Sequence, residues 1–103
     1  MGKYLCLWEV DMSRVPEDPK EQLEFFAKIQ DVCKEDMKNG TTKDFGMFLG
    51  SDKGYTIEEG TEEEVAMSAM KYCPFVKCTV HQVISTDQVG NIMKKFESCE
   101  SCQ

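Results

Sequence analysis

The chain has 103 residues, the length of one domain, and its 41% hydrophobic content suffices for a single core without staples. A formal net charge of −7, with Arg14 as the one arginine, argues against binding to nucleic acid or to an anionic membrane surface. No apolar run approaches the ~20 residues of a membrane span. The start, MGKYLCLWEV, lacks the parts of a secretion signal. A cytoplasmic protein is expected, and its six cysteines are then expected to be reduced.

Residues 3–10, KYLCLWEV, are apolar, aromatic-rich and too few for a core helix, so they read as a first strand. Asp18 is a good N-cap, Pro19 suits the first helical position and Glu21 falls at N3. Leu23, Phe26, Ala27, Gln30, Cys33 and Met37 follow helical spacing, and Asn39-Gly40 is a stop, which predicts a helix over 19–38. KDFGMFLG (43–50), the turn-rich SDKG (51–54) and YTIEE (55–59) read as a hairpin. Thr61 and Glu64 form a capping box for a second helix that stops before Pro74. FVKCTVHQVI is a fourth strand. Ser85 and Gln88 then open a short third helix with Val89, Ile92, Met93 and Phe96 along one side. Residues 98–103 read as a tail.

The order β-α-β-β-α-β with an added helix is the split βαβ, or ferredoxin-like, α+β pattern. Right-handed crossovers place both long helices on one face of an antiparallel sheet of strand order 4-1-3-2. Period-two alternation divides each strand between two faces. Leu5, Leu7, Ile57, Val76 and Val80 are expected beneath the helices. Tyr4, Trp8, Phe48, Phe75 and Val83 are expected on the other face. An apolar patch of that kind favours association, so the uncovered face is expected to pack on a second subunit.

KYLCLWEVD, DFGMFLG, GYTIEEGTEEE and YCPFVKCTVHQVIS resemble the dimeric α/β-barrel superfamily, and within it an uncharacterised family. The resemblance spans residues 3–96 and carries no specific catalytic motif. It implies a homodimer with a cavity between the sheets or between sheet and helices. Superfamily members include cofactor-independent monooxygenases, haem-degrading enzymes, lactone isomerases and ligand-sensing modules, and fold alone does not choose among them.

YCPFVKCTVHQVI places Cys73, Cys78 and the single histidine, His81, close together in sequence. Cys78 and His81 stand three apart in a strand, so they point to opposite faces and cannot easily share one ion. No metal site is expected there. Taken alone, His81 is a candidate acid/base or ligand anchor on the predicted open face, with Thr79, Thr56 and Glu58 beside it and Trp8 and Phe48 as apolar walls. A hydrogen-bonded histidine in a dimer interface is the plainer reading. Cys99 and Cys102 make a CxxC flanked by Glu97 and Glu100, which disfavour thiolate, and a shared zinc site there is the remote alternative.

The expectation is therefore a homodimer that binds a small apolar or aromatic molecule, without a cofactor. The alternatives are a cofactor-independent isomerase or oxygenase using His81, and a thiol- or metal-responsive protein using the CxxC.

Overall fold

A computed structural model describes residues 2–98. Its elements are β1 (Gly2–Val10), a 3-10 turn at Met12–Arg14, α1 (Pro19–Asn39), β2 (Thr42–Met47), β3 (Lys53–Gly60), α2 (Glu62–Met70), β4 (Val76–Val83) and α3 (Thr86–Ser98). The sheet is antiparallel in the order β2-β3-β1-β4, which is the expected order read from the opposite edge. This α+β arrangement of four strands and three helices is compatible with a ferredoxin-like fold. Among the described residues no helix is long and apolar enough to cross a membrane.

The helix boundaries follow their caps. The Asp18 carboxylate accepts from the Glu21 backbone N–H with Pro19 at the first position, and Gly40 ends α1 in the left-handed region at φ 85°. Both halves of the Thr61–Glu64 capping box form at α2. Ser85 and Gln88 make the same reciprocal pair at the start of α3. The turn at Met12–Arg14 had no expectation from sequence. It is held by the Asp11 side chain accepting from Ser13. The hairpin strands are offset from expectation, since β2 stops at Met47 and β3 begins at Lys53. The hydrogen bonds Ser51 N–H to the Phe48 carbonyl and Phe48 N–H to the Lys53 carbonyl close the turn earlier in the chain.

The facing of β1 and β3 is the reverse of that expected. Tyr4, Cys6 and Val10 are buried, while Leu7 is exposed. Directly opposed residues share a face. Cys6 stands between Thr56 and Val80, Trp8 between Gly54 and Cys78, and Val10 opposite Val76. Leu5, by contrast, stands between Ile57 and His81. Tyr4, Trp8, Thr56 and Glu58 thus lie on the helix side, and Leu5, Leu7 and Ile57 on the open side. Phe75 also turns toward the helices, edge-on to Phe25 of α1 with ring centroids 5.3 Å apart. The expectation held for β4, where Val76 and Val80 face the helices and Thr79, His81 and Val83 face away. Both sets of β1 residues are apolar, so alternation alone could not choose between them. The cluster of Val10, Val15 and Val76, packed by Phe25, Ile29 and Tyr72, decides it.

α3 takes no part in the main packing of the other elements. The molecule is 64 Å long against 26 and 22 Å across, and its radius of gyration of 17.8 Å exceeds the ~13 Å of a compact domain of this size. Val89, Ile92, Met93 and Phe96 of α3 are all exposed.

Candidate functional site

The helices do not close tightly on the sheet. Between them lies a cavity of about 660 Å³. β1 contributes Cys6, Trp8 and Val10, β3 contributes Thr56 and Glu58, and β4 contributes Val76, Cys78 and Val80. From above, α1 supplies Phe26, Ile29 and Cys33, and α2 supplies Val65, Ser68 and Ala69. A largely apolar cavity of this size with a few convergent polar groups is the usual form of a small-molecule site.

Gly54 sets the position of the Trp8 ring. A Cβ there would lie 2.1 Å from the Gly46 carbonyl oxygen and 2.2 Å from the indole. The bare backbone lets the indole lie across β3 and stack on Phe45 at 5.6 Å with the rings 7° apart. The indole N–H of Trp8 and the hydroxyl of Ser68 are buried with no hydrogen-bond partner among the described residues. Both residues line the cavity. The two polar atoms themselves are fully buried and do not open onto the cavity space, so each carries the cost of an unsatisfied polar group.

Glu58 is 6% exposed. Its carboxylate accepts from the Thr42 hydroxyl at 2.8 Å and from the Thr56 hydroxyl at 3.2 Å. Burial raises its pKa above the usual carboxylate value, the nearby charge of Asp36 adds to this, and the two hydroxyls oppose it. The pairing irregularity between Thr42 and Asp44 leaves Thr42 opposite Glu58, where it can donate. Next to this wall, buried Asp36 of α1 pairs with Lys71 and accepts from the Tyr72 hydroxyl at 2.9 Å. The same hydroxyl lies 3.5 Å from Cys33 Sγ. Burial, the Cys33 hydrogen bond and Asp36 together push the Tyr72 pKa up.

The residues expected to form one site divide between two faces. Trp8, Thr56 and Glu58 line the cavity. His81 and Thr79 lie on the open face, opposite Leu5 and Leu7. Phe48 stacks loosely on Tyr55 at 6.4 Å, away from the cavity lining. His81 therefore does not meet Trp8, Thr56 or Glu58. Cys78 and His81 do point to opposite faces, as their spacing requires, and Cys73 is exposed beyond the cavity. Among the described residues no three His, Cys, Asp or Glu side chains converge to hold a metal ion. Cys99 and Cys102 lie outside the described residues.

Sequence reasoning missed Cys6, Cys33, Cys78 and Ser68 as cavity residues. The available signal was the helix-periodic position of Cys33 and the shared parity of Cys6 with Trp8. Comparison with protein-family models and with curated proteins finds no match to this chain.

Proposed function

We propose that the protein binds a small apolar or aromatic molecule, and that it works as a homodimer. The observation that carries the binding reading is the cavity of about 660 Å³ between helices and sheet, mostly apolar, with Glu58, Thr42 and Thr56 among its few polar groups. The apolar walls supply affinity and the few polar groups orient the ligand.

The open sheet face supports the dimer. It carries Leu5, Leu7, Tyr55, Ile57 and Val83, with Lys3, Lys53 and Lys77 set against Glu9, Asp44 and Glu59. Lys43 also reaches this face through its ion pair with Glu59, so positive and negative charges nearly balance there in a chain of net charge −7, and two copies can approach. Four strands of about eight residues at ~4.8 Å spacing present roughly 500 Å². The apolar side of α3 adds about 200 Å². Two copies would then bury on the order of 1,400 Å² in total, within the roughly 1,200–2,000 Å² of stable interfaces. The resemblance to the dimeric α/β-barrel superfamily points the same way, and His81 then sits in the subunit interface.

A titration with Nile red tests the binding reading. Saturable enhancement of its emission is expected, at one dye per protomer. Val80→Phe, which fills the cavity without adding charge, should weaken binding at least tenfold while leaving the circular dichroism unchanged. Binding that is not saturable, or that is unaffected by Val80→Phe, would count against the cavity.

A second reading makes the same cavity an active site without a cofactor. Glu58, with its raised pKa in an apolar wall, is the acid/base group that favours it. The role expected of His81 would then pass to Glu58, because His81 faces away. Turnover lost in Glu58→Gln with ligand affinity retained would separate this reading from binding alone.

A further inference from the structure

Two thiols meet on the floor of the cavity. Cys6 of β1 and Cys78 of β4 lie on the same face of neighbouring strands, Cys6 opposite Val80 and Cys78 opposite Trp8. Cys6 and Cys78 are diagonal neighbours in the ladder, and Thr56 is the direct partner of Cys6 on β3. Cys6 is buried and Cys78 half-buried, and both line the cavity, so the cavity is the route to them. We propose that this pair is a thiol site that captures an apolar α,β-unsaturated carbonyl compound, with Cys6 Sγ as the attacking atom. The inference rests on the reading that the cavity admits a small apolar molecule.

The surroundings favour attack by Cys6 over the other cavity thiols. The Cys78 thiol beside it lowers the Cys6 pKa against the effect of burial, and the Cys78 pKa rises correspondingly. Cys33, across the cavity on α1, has its pKa pushed up by burial. In the addition, Sγ of Cys6 bonds to the β-carbon and the π pair of the alkene moves to the α-carbon and carbonyl oxygen. The Cys78 thiol gives its proton to the α-carbon, and Cys78 takes up the proton released by Cys6. The net change is addition of S–H across the double bond, with no oxidant or reductant.

The test is mass-spectrometric mapping of the full chain after treatment with N-phenylmaleimide, or with a sulfonated maleimide of the same reactive group. Exposed Cys73 should react with both. Cys6 should react with N-phenylmaleimide at least tenfold faster than Cys33, should resist the sulfonated reagent, and should be protected by 1-naphthol. Cys78→Ala should slow Cys6 at least fivefold, while Cys78→Ser, which keeps a donor, should retain most of the rate. Circular dichroism and Trp8 emission verify that each variant is folded. Cys6 labelling no faster than Cys33, indifferent to 1-naphthol, or equal in the Cys78→Ala and Cys78→Ser proteins would overturn the proposal. If Nile red binds and Cys6 stays unlabelled, the thiol site fails and the ligand reading stands. If neither occurs, both fail.

Discussion

Both faces of the sheet carry apolar side chains, but their chemistry differs. The covered face holds Trp8, Glu58, Thr56, Ser68 from the helix above, and the thiols of Cys6, Cys33 and Cys78 around open space. The open face holds aliphatic side chains and charges that nearly cancel, and among the described residues it has no comparable set of buried polar atoms. What separates them is where polar groups are desolvated. Buried polar atoms in a cavity suit recognition, whereas a neutral apolar sheet suits contact with another copy.

The largest expected effect comes from breaking the open face. Leu5→Asp with Leu7→Asp removes two apolar side chains from each side of the proposed interface, each worth roughly 1.5–3 kcal/mol when buried. Analytical ultracentrifugation should show the dimer dissociation constant raised by at least about a hundredfold. Nile red binding per protomer should persist, and its loss would show that the faces are not independent. On the covered face, Gly54→Ala drives a Cβ into the Gly46 carbonyl and the Trp8 ring. Thermal unfolding should report a loss of about 1–3 kcal/mol, with a shifted Trp8 emission maximum.

Smaller effects sharpen the polar side of the comparison. Tyr72→Phe takes one donor from buried Asp36, which keeps Lys71. A loss of about 1–2 kcal/mol in urea unfolding is expected. The pH response follows from Glu58. Its folded pKa is raised, so between the unfolded value and the higher folded value the native state binds more protons than the unfolded chain. Stability should therefore fall as pH rises from the ordinary carboxylate range through the raised pKa. Glu58→Gln should flatten that slope, and an unchanged slope would place the titration elsewhere.

Much of this architecture was legible in the sequence because local signals are self-contained. Asp18-Pro19, Thr61 with Glu64, and Ser85 with Gln88 each define a helix start from neighbouring residues, and each forms as expected. The candidate site was harder to read because it depends on the facing of β1 and β3. On β1 both parities are apolar, so the four residues Tyr4, Cys6, Trp8 and Val10 and the pair Leu5 and Leu7 were equally plausible under the helices. Glu58 reads from sequence as a site residue beside His81 on the open face. It is buried because Thr42 reaches it from the far side of an irregular ladder, a contact that no spacing within one strand encodes. The thiol pair has the same origin. Cys6 and Cys78 are neighbours only once the β1–β4 register is known.

Trp8 is the single tryptophan, so its indole N–H gives one unambiguous NMR resonance. The most direct test of the division between the faces is a titration with 1-naphthol that follows this resonance beside the backbone amides of Leu5 and His81. The expected result is a saturable shift of the Trp8 indole proton with the Leu5 and His81 amides nearly still. Movement of Leu5 and His81 with an unmoved indole would put the ligand on the open face and contradict the account.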